Sequence, residues 1–152
     1  MKKTNEKGRS RGYRNNNPLN IIKTETTLLY KGALPREKQL DTHFVMFKTR
    51  VYGLRAAIRL LHRYFTKYGL RTVRGIINRW CPDATAPKYI ERVCREIEVK
   101  PDEELEWNGL RICALVAAMA KVENGYLEDG TMADIYKAWQ MYEDESTPPI
   151  GV

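Results

Sequence analysis

Residues 108–122 read Asn-Gly-Leu-Arg-Ile-Cys-Ala-Leu-Val-Ala-Ala-Met-Ala-Lys-Val, a stretch apolar on nearly every helical face. A helix of this kind has almost no side to offer solvent, so other helices must wrap it. It predicts a central core helix and, with it, a mainly helical domain. Glu123 follows the apolar run directly, and Asn124-Gly125 stops the helix. Apolar surroundings disfavour a charged carboxylate, and the C-terminal end of a helix dipole disfavours an anion. Helix stability gives no reason to place Glu there. A carboxyl held protonated near neutral pH is what glycosidic bond cleavage requires of a general acid. The plainer reading is a last, solvent-facing residue of the helix, and from this position alone both stand.

The other helices are legible by the same periodicity. From Gly53 onward, Leu54, Ala57, Ile58, Leu61, Tyr64, Phe65 and Tyr68 recur at helical spacing, while Arg55, Arg59, Arg63 and Lys67 take the opposite face. Gly69 ends that helix, and Thr72 can cap a short one carrying Val73, Ile76, Ile77 and Trp80. Pro87 suits the first turn of the next, whose stripe is Tyr89, Ile90, Val93, Cys94 and Ile97. Thr131 is placed to cap a last helix that buries Ile135, Ala138, Trp139 and Tyr142.

The N-terminal part differs. Asn15-Asn16-Asn17-Pro18 is a dense turn signal, because Asn tolerates left-handed backbone and Pro fixes φ. Residues 19–23, 28–30 and 44–47 read as short strands, so residues 19–48 are expected to form a small, irregular β-hairpin lobe. The fold class is mainly α (α+β). One domain over residues 13–142 is expected, between a flexible basic tail at 1–12 and an acidic, Pro-containing tail at 143–152.

Charge divides the chain unevenly: residues 1–80 carry a net +15 and residues 81–152 a net −8. The basic half suggests a polyanionic partner, or else two halves that fold together and neutralise. No apolar stretch is long enough to span a bilayer. The basic N-terminus leads into no apolar segment, so it does not read as a secretory signal. Cys81, Cys94 and Cys113 lack metal-ligand spacing and are expected as three reduced, buried thiols. His43 and His62 are isolated, so neither a metal nor any other cofactor is expected.

The stretch Ala117-x-x-x-Lys121-Val122-Glu123-Asn124-Gly125-Tyr126 resembles the Glu-Ser-Gly-Phe helix end of soluble lytic transglycosylases and goose-type lysozymes. Asn124 stands where that motif has Ser. Arg14-Asn15-Asn16-Asn17-Pro18-Leu19-Asn20-Ile21, with Phe44-Val45-Met46-Phe47 and Tyr52-Gly53-Leu54, is similar to the Asn-rich hairpin and Phe-x-x-Phe segment of glucosaminidase-type autolysins. It is similar too to phage-associated virion or lysozyme-like proteins with an Arg-x-Asn-Asn-Asn-Pro-x-Asn-Ile signature. Residues 76–82, leading to Tyr89-Ile90, resemble the transglycosylase region whose Tyr lines the sugar cleft. The order is altered: here the hairpin lobe comes first and the Glu helix late, as circular permutation of a lysozyme-like fold would produce.

The resemblance implies a peptidoglycan-cleaving muramidase or lytic transglycosylase acting between N-acetylmuramic acid and N-acetylglucosamine, with Glu123 as catalytic acid. Glu25, Glu37 and Asp41 are the only acids of the expected lobe and sit in no motif, which favours single-carboxylate chemistry. Asn16, Asn17 and Asn20 are candidates to bind N-acetyl groups, although at least one should simply hold the turn. Tyr89 could reach the acetamido group beside Glu123, or be a core aromatic. Thr49 and Tyr52 are further cleft candidates. Trp80, Trp107 and Trp139 are read as core before sugar platform. The partners implied are peptidoglycan glycan strands and virion or secretion-machine proteins. The protein would be made in the cytoplasm and reach the cell wall by lysis, virion delivery or dedicated secretion. One rival is a non-catalytic virion or envelope-binding protein. Another is a nucleic-acid-binding module, against which stands the absence of a recognised motif.

Overall fold

A computed structural model describes residues 8–146; the outer parts of both expected tails lie outside them. The helices are α1 (Arg11–Arg14), α2 (Arg50–Lys67), α3 (Val73–Trp80), α4 (Ala86–Ile97), α5 (Gly109–Asn124) and α6 (Thr131–Ser146). The domain is mainly helical, as its periodicity predicts. Helix α5 is the central one: Ile112, Leu115, Val116, Met119 and Ala120 are fully buried. It packs against α1, α2, α4 and α6.

Local sequence explains most helix ends. Asn108 accepts a hydrogen bond from the Arg111 amide at 2.8 Å and caps α5, while Gly125, at φ 82°, closes it in the left-handed conformation. Thr72 caps α3 through the Gly75 amide. Thr49 accepts from the Tyr52 amide, so α2 starts at Arg50, three residues ahead of the apolar stripe at Gly53. Thr131 does not cap α6. It is the first helical residue, and its hydroxyl is buried.

The expected β-hairpin lobe is not a sheet. Among the described residues it has only two isolated antiparallel bridges, Ile22 to Phe44 and Ala33 to Phe47. Residues 28–30, expected as a strand, fall instead in a single 3-10 turn, Thr27–Leu29, and its C-cap Tyr30. The reason is where its backbone groups find partners. Asn17, fully buried, donates to the Ile21 and Val45 carbonyls and accepts from the Ile21 amide. Gln39 donates to the Leu34 and Met46 carbonyls and accepts from the Met46 amide. Asp41 accepts from the His43 and Phe44 amides. Side chains thus stand in for a strand ladder.

The two halves do neutralise each other in part. Arg9 and Arg50 both pair with Glu128, Arg50 also reaches Asp134, and Lys31 and Arg55 share Glu145. Arg55, expected on the solvent face of α2, is therefore buried against α6. In the stretch expected as tail, Gly12 is buried against the end of α5, and residues 143–146 continue α6. Cys94 and Cys113 are buried free thiols, and Cys81 is a half-buried one. Among the described residues no helix is long and apolar enough to cross a membrane.

Candidate functional site

The site forms where the Asn-rich turn meets the last turn of α5. Asn16 and Asn20 both adopt left-handed backbone, each at φ 54°, which folds residues 15–20 into a tight knot. Two glycines let helices close on it. A Cβ on Gly53 would lie 1.8 Å from the Asn16 carbonyl oxygen, and one on Gly12 would lie 2.5 Å from Asn124 Oδ1. Asn124 then stitches the helix end down: it accepts from the Ser10 hydroxyl and donates to the Pro18 and Ala120 carbonyls.

Glu123 is fixed by this arrangement. Asn20 Nδ2 donates to Glu123 Oε1 at 3.0 Å, and the Tyr89 hydroxyl donates to Oε2 at 2.8 Å. The two donors come from the turn and from α4, so the carboxyl plane is clamped between lobe and helical body. Burial raises the Glu123 carboxyl above its ordinary range; the bonds from Asn20 and Tyr89 pull the other way, and the charge of Asp83 adds to the rise. The nearly buried Tyr89 phenol is raised well above its own range, by burial and then by Glu123, so it stays a donor. Asn20 Oδ1 is buried and has no partner among the described residues. A carboxyl of this kind has four lone-pair positions and two fixed donors, which leaves room for a proton and for a substrate oxygen.

Of the residues singled out in the sequence, the structure brings Asn20, Tyr89 and Glu123 together. It uses the others locally. Asn16 donates to the Phe47 and Lys48 carbonyls, Asn17 holds the lobe, Thr49 caps α2, and the Tyr52 ring lies over Gly32. None of these four bonds to Glu123.

The acids of the lobe are also occupied. Asp41 is gripped by both nitrogens of the Arg11 fork and by Asn15, and Arg11 holds its carboxyl far below the usual carboxylate range. Glu25 pairs with Arg36 at the surface. Among the described residues no cluster of His, Cys, Asp and Glu could hold a metal ion. His62 and Trp107 stack with Tyr142 in an aromatic group on the opposite flank of α2, joined by Trp139.

Three further residues lie nearby: Asp83 and Arg79, which sequence did not mark as site residues, and Trp80, whose second reading was a sugar platform. Asp83 follows the break at Pro82 and holds the turn into α4 through the Thr85 amide and hydroxyl. Trp80, read as core, is half-buried with its indole N–H on the Leu19 carbonyl. With Arg79 it lines a cavity of about 150 Å³ that also touches Asn20. The signals for Arg79 and Trp80 are their position, at the end of a short helix just ahead of Pro82, and the resemblance carried by residues 76–82.

No known family model matches the chain. A curated relative does: over 119 residues, 76% of this chain and 72% of the relative, it is 39% identical to Protein P5 of Pseudoalteromonas phage PM2. Likeness of that extent is shared descent, and the chain belongs to the family of this phage protein.

Proposed function

We propose that the chain is a peptidoglycan-cleaving enzyme, a muramidase or lytic transglycosylase of lysozyme-like, circularly permuted fold, acting between N-acetylmuramic acid and N-acetylglucosamine. The observation that carries this reading is the clamped, desolvated Glu123 at the end of the core helix, held by Asn20 and Tyr89. A protonated Glu123 gives its proton to the glycosidic oxygen as the C1–O bond breaks. In the transglycosylase form, the 6-hydroxyl of the same muramic acid attacks C1 to close a 1,6-anhydro ring, and its proton returns to the Glu123 carboxylate. No second carboxylate is consumed, which agrees with the structural employment of Asp41 and Glu25. Asn20 and Tyr89 are positioning residues in this scheme. The relative is a phage protein, which is consistent with virion-related partners.

The test is release of soluble muropeptides from purified peptidoglycan, with products identified by mass. Wild type should release them and Glu123→Gln should lose at least about a thousandfold in rate, since one general acid supplies the proton. Anhydro-ended products mark transglycosylation and reducing ends mark hydrolysis. Equal release by both proteins moves the acid away from Glu123. Wall binding without release by either assigns the chain to a non-catalytic envelope-binding role.

A further inference from the structure

The cavity beside Asn20 has a one-sided chemistry. Beside the apolar side chains of Ile21, Ile22 and Leu60, its walls include Thr24 and Thr27 from the lobe, Tyr64 from α2, and Arg79 and Trp80 from α3, and no acid lines it. The Arg79 guanidinium lies 3.8 Å from the Tyr68 ring centroid and 5.5 Å from that of Tyr64. Two aromatic faces thus hold it in place without neutralising it. Arg79 has no carboxylate partner among the described residues, and nor do Arg59 and Arg63 on the adjoining face of α2. A hydrogen bond from Arg63 and the nearby charges of Lys67 and Arg79 draw the Tyr68 phenol below its ordinary range, so several cations converge here. Elsewhere in the chain, Arg9, Arg11, Arg50, Arg55 and Arg74 each grip an acid. An exposed arginine held on aromatic rings at the rim of a cavity, bonded to the Tyr64 hydroxyl but to no carboxylate among the described residues, keeps a fork that suits a carboxylate.

We propose that this cavity is a subsite for the carboxylate-bearing substituent of N-acetylmuramic acid, with Arg79 as its anion-binding residue and Trp80 as an apolar wall for the sugar. The inference rests on the glycan reading of Glu123, to which the cavity is linked through the side chain of Asn20. It adds to that reading the residue that would recognise the carboxylate carried on alternate sugars of the glycan. A chitin-like polymer lacks that group. The carboxylate could be the free lactyl acid or one belonging to a stem peptide attached to it.

Binding of three soluble disaccharides tests this, followed by tryptophan fluorescence at physiological salt. They are N-acetylglucosaminyl-N-acetylmuramic acid, its lactyl methyl ester, and its L-Ala-D-Glu conjugate. Wild type should bind the free acid or the conjugate about tenfold more tightly than the ester, one charge-assisted contact being worth about that factor. Whichever is preferred names the lactyl or the stem-peptide carboxylate. Arg79→Met should abolish the preference, and Arg79→Lys should keep part of it. Equal wild-type affinity for all three, or a preference that survives Arg79→Met, overturns the subsite and leaves the glycan reading standing. A carboxylate preference without cleavage of peptidoglycan keeps the subsite and removes the enzymatic reading. Binding of a single-stranded oligonucleotide, lost in Arg79→Met, with no sugar bound, overturns both and assigns the cationic wall to phosphate.

Discussion

The segment from Asn15 to Thr49 and the helical body from Arg50 onward reach order by opposite routes. The body satisfies its backbone within each helix and is held by burial, with Leu54, Ile58, Leu61, Ile76, Ile112, Leu115, Met119 and Ile135 entirely sequestered. The segment ahead of it has almost no ladder. It spends specific side chains, Asn17, Gln39 and Asp41, on specific backbone groups. Packing tolerates replacement by shape, whereas a hydrogen-bonding knot tolerates replacement only by chemistry. The candidate carboxyl sits where the two meet: Glu123 belongs to the body, and one of its two donors belongs to the knot.

The largest stability effect should separate the two routes directly. Asn17→Leu, close in size, strands the Ile21 amide and the Val45 carbonyl in a fully buried place and should cost about 3–4 kcal/mol in urea unfolding. Leu115→Met, an equally buried position in α5, should cost less than about 1.5 kcal/mol. Comparable losses at the two positions would erase the distinction.

Asp41 tests the same contrast through pH. Its carboxylate accepts from Arg11, Asn15 and two backbone amides, and its native pKa is depressed. The unfolded chain takes up this proton near about pH 4, while the native chain resists it. The stability Asp41 provides is therefore fully present above that pH and drains away as pH falls below it. Asp41→Asn should be about 2 kcal/mol less stable at pH 7, with the gap shrinking towards pH 3. A gap constant with pH would mean that the side chain's shape rather than its charge organises the lobe.

These differences explain what could be read in advance. The helices were legible because apolar spacing, Pro87 and the Asn124-Gly125 stop are all local signals. Glu123 was legible for the same reason: a carboxyl ending an apolar helix is locally unfavourable. The lobe was not, because β-like residues at 19–23 and 44–47 do suggest strands, and nothing local says that Asn17 and Gln39 will take the hydrogen bonds instead. Nor could the sequence choose which asparagine of the cluster meets Glu123. Asn17 is consumed by the lobe and Asn20 by the carboxyl, a division set by left-handed backbone at Asn16 and Asn20. The Arg79 cavity was hidden because it is built from three separate segments.

The smallest expected effect bears most directly on the junction. Burial raises the Glu123 carboxyl in the native protein, while in the unfolded chain it ionises near about pH 4.3. Stability from this group is therefore fully present below the unfolded value and is lost as pH rises through the native one, the reverse of Asp41. Glu123→Gln removes that loss. The variant should match wild type near pH 4 and melt higher at pH 8. If instead it melts lower at pH 8 than wild type, the bonds from Asn20 and Tyr89 outweigh desolvation and the carboxyl rests ionised. A carboxylate already without its proton cannot begin by donating one, so that outcome would count against Glu123 as the acid, whatever its position in the fold.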